Sequence, residues 1–203
     1  MSQCNKKTSV WMTTKRIETL VDGVFAIALT LLVLNIDVPH IIGPVSDPLL
    51  WQYLINLSQQ LLIYGFSFIL LASFWRANHH QFFYIKKSDS ALIWINLVWL
   101  LFIALVPFST SFVSDYGSHQ IPMLFFNLNM FFIGIFYLIN WAYVNKKKYF
   151  VEGMTEETYK LVKRINYLLP GIALIAIGVT FINPSWSPYC YFLFLFLKIG
   201  IKH

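Results

Sequence analysis

The chain reads as an all-α integral membrane protein with six transmembrane helices per subunit. Three observations predict this: the composition, the six long apolar runs, and the position of every basic residue. Of 203 residues, 58% are hydrophobic and 12% charged. An ordinary globular domain carries about twice that charge. With 19 Phe, 11 Tyr and 7 Trp, the chain has too little polar surface to face water all round. A soluble enzyme is excluded on that ground.

A helix needs about 20 apolar residues to cross a hydrocarbon core. The runs that qualify are Leu20 to Val38, Leu54 to Trp75, Leu92 to Val113, Pro122 to Val144, Ile165 to Ile182 and Trp186 to Ile201. The last is the shortest and carries Lys198, whose stem can snorkel to the interface. Six spans put the N-terminus, the second and fourth connections and the C-terminus on one side. Those segments hold all 15 Lys and Arg: Lys6, Lys7, Lys15 and Arg16; then Arg76, Lys86 and Lys87; then Lys146 to Lys148, Lys160, Lys163 and Arg164; then Lys198 and Lys202. The opposite connections hold only Asp37, Asp47 and Asp115 as formal charges. The positive-inside rule places both termini in the cytoplasm. The net charge of +6 is therefore a topology signal, not a nucleic-acid footprint. The first apolar run is too long, and lacks the cleavage site, for a signal peptide. Cys4 and Cys190 are too few for a disulfide framework or a metal site, so no metal and no cofactor are expected.

The chain forms a single domain over residues 1–203. Residues 1–14 read as a polar N-terminal arm and 145–164 as a cytoplasmic linker. The loop from Pro39 to Pro48 has three prolines and reads as an ordered external turn. Asn183-Pro184-Ser185 reads as a tight external turn. Trp51, Trp141 and Trp186 near span ends read as interface anchors. No Thr-Val-Gly-Tyr-Gly carbonyl filter occurs, and no zinc motif, nucleophile elbow or intramembrane carboxylate pair.

The first span carries the information. An ionisable residue inside a span costs a few kcal/mol, so Asp22 is a functional or network residue by default. At about 100° per residue, Gly23, Ile27, Thr30, Leu31 and Leu34 share one stripe, and Asp22 lies roughly 140° from Ile27. The acid and the stripe have different neighbours, and the acid is expected to point into the subunit. Periodicity alone is satisfied by ordinary helix packing along the stripe. Gly23, Ala26 and Ala28 are small enough to let helices approach closely in lipid. Adjacent His79 and His80 point about 100° apart and cannot share one ion within a chain.

The run from Arg16 to Asp22, followed by Gly23-Val24-Phe25-Ala26-Ile27-Ala28-Leu29-Thr30-Leu31-Leu32-Val33-Leu34, resembles the first-helix signature of the transmembrane protein 175 family. That signature is an Arg, three residues, then Phe-Ser-Asp. Here Leu20-Val21 stand in place of Phe-Ser, and Arg16 and Asp22 keep their spacing. Trp75 and His79, Asn96, and Pro107-Phe108 match further, so the resemblance runs over residues 15 to 110. It implies a homotetramer with the four first helices lining a central pore and no re-entrant pore loop. It implies a potassium-preferring cation channel, with K+ and other monovalent cations as its permeant partners, in a prokaryotic cell membrane. The tightest ring is placed at Ile27, with Leu31 and Leu34 as further apolar layers and Thr30 as a polar lining group. Such a ring gates by dewetting. Arg16, Asp22, Trp75, His79 and Asn96 are implied as a structural network, although Arg16 falls near the Ile27 face and equally fits the cytoplasmic mouth. Asp37, Asp47 and Asp115 would concentrate cations at the external mouth, or simply form solvated loops. The alternative is a secondary transporter or proton-permeable carrier, which is disfavoured because no acid or base stands at the centre of a span.

Overall fold

The computed structural model describes residues 14–36 and 43–193. Those residues are nearly all helical: α1 (Thr14–Leu34), α2 (Asp47–Phe83), α3 (Ser90–Ala104), α4 (Val106–Tyr116), α5 (Gln120–Lys147) and α6 (Glu156–Ile182), followed by a 3-10 turn at Pro184–Tyr189. Five stretches are long and apolar enough to span a membrane, with α3 and α4 together forming one of them, Ser90–Tyr116. The expected span Leu92 to Val113 is thus divided between two consecutive helices, with Leu105 between them. Pro107 lies in the first turn of α4. It has no N–H to give the preceding turn, so the ladder of helical hydrogen bonds is interrupted there. The expected sixth span opens with the 3-10 turn, which Pro184 and Pro188 impose. Helix begins again at 190–193. The rest of that span, with Lys198, lies outside the described residues, as do Cys4 and Asp37.

Helix ends follow local chemistry. Asp47 and Pro48 open α2, where an acid meets the helix dipole and Pro needs no hydrogen-bond partner. The Asp89 carboxylate caps α3 by accepting from the Leu92 N–H at 2.9 Å. Thr155 caps α6 by accepting from the Thr158 N–H, with Glu156 and Glu157 in the first turn. Lys146 and Lys147 close α5, and Lys148 ends it at φ 55° in the left-handed region. The helices outlast the lipid-spanning runs, so the expected linker 145–164 shrinks to the residues between Lys147 and Glu156.

The core lies where α1, α3, α5 and α6 bury one face each, with Leu70, Leu71 and Phe74 from α2. Gly134 on α5 lets α6 approach closely. A Cβ built there would stand 2.6 Å from the Pro170 ring. Buried amides and hydroxyls lock the elements together, because an unpaired polar group in an apolar bundle is costly. Asn127 donates to Thr180 at 2.9 Å and to Ser187 at 2.7 Å, and accepts from the Tyr191 hydroxyl at 2.9 Å. That set seats the 3-10 turn on α5 and α6. Thr110 donates to Ser67 at 3.0 Å and joins α4 to α2.

The connections after α2 and α5 meet at one end. Lys86 N–H donates to the Tyr149 carbonyl and Val151 N–H to the Tyr84 carbonyl, forming a one-residue antiparallel bridge of Ile85 with Phe150. Asp89 is the hub beside it. Its carboxylate accepts from Tyr143 at 2.7 Å and Tyr149 at 3.1 Å as well as from the cap N–H. Partial burial pushes this carboxyl up, but the bonds from Tyr143, Leu92 N–H and Tyr149, with Lys147 nearby, outweigh it and leave Asp89 below its ordinary value. The Tyr149 hydroxyl is pushed up, first by desolvation and then by its bond to Asp89. The exposed Lys86–Glu152 pair adds a surface contact worth little. A depressed folded-state pKa means that the Asp89 contribution is fully present above about pH 4 and is lost as pH falls through the folded value. Asp89→Ala should cost about 2 kcal/mol, from one lost cap and two tyrosine hydroxyls left without their acceptor. Thermal unfolding followed by tryptophan fluorescence should show the loss at neutral pH and a weaker acid dependence in the variant. An unchanged midpoint would remove Asp89 from this role.

Candidate functional site

Helix α1 is two-faced. Ile17, Val21, Phe25, Ala28 and Leu32 are buried against the subunit. This is the 3.6-residue pattern of a packed face. The stripe singled out in the sequence lies on the other side. Ile27 is 61% exposed, Leu31 42% and Leu34 72%, and Gly23 and Thr30 are exposed with them. Ordinary packing within the subunit therefore does not account for this stripe. Leu29, by contrast, packs against the core. The Thr30 hydroxyl donates back to the carbonyls of Ile27 at 2.8 Å and Ala26 at 3.1 Å. Its proton is thereby held by the helix, and its oxygen lone pairs remain available on the outward face.

Asp22 stands on the flank of α1 between these two faces. Rather than pointing into the subunit, it is exposed on the subunit surface and accepts from the Trp75 indole N–H at 2.8 Å. Trp75 in turn stacks on His79, with ring centres 6.1 Å apart. Three of the five network residues are thus brought together across α1 and α2. Arg16 is exposed and makes no ion pair with Asp22 within the subunit; the ion pairs among the described residues are Lys86–Glu152 and Lys160–Glu156. Asn96 belongs to a separate buried chain, donating to Asn140 at 3.2 Å, which donates to Gln81 at 3.1 Å. That chain ties α2, α3 and α5. His80 meets Tyr84 edge-on, so the two adjacent histidines face different aromatic partners. Among the described residues, no three His, Cys, Asp or Glu come together as a metal would need.

The ends of the bundle differ in charge. The Asp22–Trp75 contact sets the start of α1 beside the end of α2, and the Ile85–Phe150 bridge brings the two basic connections together. The basic segments of α1, α2, α5 and α6 therefore share one end. Asp47 and Asp115 are exposed at the far ends of α2 and of the α3–α4 span. There the Asn35 side chain donates to the Pro107 carbonyl at 3.0 Å.

The sequence profile of the endosomal/lysosomal potassium channel TMEM175 matches residues 16–107, which cover α1 from Arg16, all of α2 and α3, and α4 as far as Pro107. A potassium channel of Streptomyces collinus is 30% identical over 175 residues, 83% of this chain and 82% of the relative. The chain belongs to this family. A potassium channel of a Chryseobacterium species is 31% identical over 128 residues, 63% of each chain. The crystal structure of a lysosomal potassium-selective TMEM175 homologue from Chamaesiphon minutus superposes with a TM-score of 0.77 at 25% identity, covering 94% of this chain and 98% of that one. The profile covers the family's signature residues Arg16 and Asp22 and the outward stripe of α1, and it stops at Pro107.

Sequence reasoning missed the amides that hold the helices together. Asn140 sits alone in an apolar run, Asn127 stands two positions before Asn129, and Gln81 follows Asn78, His79 and His80; nothing in their spacing shows that they meet. The one available signal was their cost: an Asn in the middle of a span needs a partner.

Proposed function

We propose that the chain is a potassium-preferring cation channel, assembled as a homotetramer with four copies of α1 around a central pore. The observation that carries this reading is the outward stripe of Ile27, Leu31 and Leu34 on a helix whose other face is fully packed. A row of apolar side chains left uncovered on a membrane subunit is satisfied by lipid or by its own copies. The Thr30 hydroxyl on the same face favours the second. It gives an ion a lone pair in place of lost water. The names of the family and of its bacterial relatives support the ion.

In this reading Ile27 forms the tightest ring, and Leu31 and Leu34 extend the apolar passage toward the acidic end. The ring is dry and closed to hydrated ions when narrow, and a small rotation of α1 retracts it. Asp47 and Asp115, with Asp37 on the same connections, enrich cations at the mouth and repel anions. The basic end faces the cytoplasm of a prokaryotic cell, and both termini lie there. Asp22, Trp75 and His79 hold α1 against α2, and Arg16, free of Asp22 within the subunit, lines the cytoplasmic mouth.

Reconstitution in planar bilayers under potassium, sodium and chloride gradients tests the function. Unitary currents reversing near the potassium potential are expected. Saturating flux without unitary steps would instead establish a secondary transporter or proton-permeable carrier. Mass measurement in detergent should give about four times the 23.7 kDa of one chain. A monodisperse monomer that still conducts would refute the shared pore.

A further inference from the structure

The packed row of α1 ends on an amide. Ile17, Val21, Phe25, Ala28 and Leu32 are buried along it, at steps of four, four, three and four residues. The next step of three falls on Asn35, where the helical repeat calls for another apolar side chain. Asn35 follows the last helical residue of α1, Leu34, and the Ile36 N–H closes that end by donating to the Val33 carbonyl at 3.2 Å. The Asn35 side-chain Nδ2 donates to the Pro107 carbonyl at 3.0 Å, 72 positions away. The orientation of the amide follows from that partner, since a carbonyl can only accept.

The acceptor stands on a fixed platform. Pro107 lies in the first turn of α4, where Val106, Ser109 and Thr110 are buried. The Ser109 N–H donates to the Leu105 carbonyl at 2.9 Å, and Thr110 donates to Ser67 on α2 at 3.0 Å. A backbone carbonyl has two lone pairs, so Pro107 can serve its own helix and Asn35 together. Asp22 fastens α1 to α2 toward the basic end, and Asn35 fastens it to α4 at the acidic end. The buried row between them belongs to the hydrophobic core. Apolar packing is non-directional, whereas a hydrogen bond is complete in one orientation and lost in others.

We propose that Asn35 is a positioning residue for gating: its bond to Pro107 holds the outer end of α1 in the orientation that turns Ile27 to the front of the proposed pore. This rests on the channel reading above. Helix side chains end about 5–6 Å from the axis, so a turn of α1 by about 30° carries the Asn35 amide about 3 Å sideways and out of hydrogen-bond reach. The rotation that retracts Ile27 therefore breaks this bond. The bond belongs to the closed arrangement, and each subunit contributes one.

Asn35→Ala and Asn35→Leu test this in the full chain. Both remove the donor, and the second continues the apolar row, so its folding is not at stake. Hydrogen–deuterium exchange in lipid nanodiscs should show amides 31–36 exchanging about fivefold faster in both variants, the factor for loss of one neutral hydrogen bond, with amides 17–22 unchanged. In planar bilayers the open probability should rise about fivefold or more, while unitary conductance and reversal potential keep their wild-type values. A residue serving stability alone would change the number of channels and leave the open probability of each untouched. That result would overturn the proposal, as would wild-type behaviour of Asn35→Leu or unchanged exchange at 31–36 in both variants. Altered conductance or selectivity at constant open probability would overturn it too, by placing Asn35 in the conduction path. A wild type without unitary currents would instead overturn the channel reading and the gating role with it, whereas the exchange rates would still decide the anchor itself.

Discussion

Ile27→Asn is expected to raise single-channel conductance by about five- to tenfold, equivalent to lowering the barrier by about 1 kcal/mol. It should also reduce discrimination between potassium and sodium. The residue stands 61% exposed at the centre of the outward stripe, one turn before Leu31 and two before Leu34. In the proposed pore a ring of four such side chains would block ions, because stripping a cation of its water in an apolar passage is expensive. An amide wets the ring. Leu29→Asn is the matched control, since Leu29 packs against the subunit core instead. Its effect should fall on stability, at a few kcal/mol for an amide forced among apolar neighbours, and leave permeation per folded channel nearly intact. Currents that respond equally to both substitutions would return the stripe to a packing role.

Asp22→Ala should lower the yield of tetramer by tenfold or more while leaving the selectivity of surviving channels unchanged. The carboxylate accepts the Trp75 indole N–H, and Trp75 stacks on His79, so one side chain fastens the flank of α1 to α2. A hydrogen bond of this kind is worth about 1 kcal/mol, and in the proposed tetramer four copies act together. Trp75→Phe keeps the ring stack and removes only the donor, so it should reproduce the defect. Size-exclusion chromatography with mass detection measures the yield, and bi-ionic reversal potentials measure selectivity. A variant that assembles normally and changes only its ion preference would move Asp22 from this flank into the pore.

The residues that matter divide by how far their partners lie along the chain. The two faces of α1 were legible in the sequence because helical geometry places Ile27, Leu31 and Leu34 on one line without reference to any other segment. Charge counting likewise read the basic end, because every Lys and Arg lies near the end of an apolar run or beyond it. The direction of Asp22 was not legible. Its offset from Ile27 follows from the helical repeat, but whether that flank meets the inside of the subunit or its edge depends on where α2 is placed. The same limit separates Asn96 from the Asp22 group. Asp22 lies in α1, which packs on α2, whereas Asn96 lies in α3 and faces Asn140 on α5, 44 positions away.

The sequence by itself determined the membrane class, the side on which charge collects, the two faces of α1 and the family signature. Each of these depends on local periodicity or on composition, which a single segment carries alone. Only the tertiary structure decided the division between α3 and α4, the 3-10 turn that opens the last segment, the Asp89 hub, and the chain from Asn96 through Asn140 to Gln81. Those depend on which helices become neighbours. A buried amide or carboxylate does not encode its partner; it encodes only the penalty for lacking one, and the packing of the bundle settles which donor or acceptor removes it.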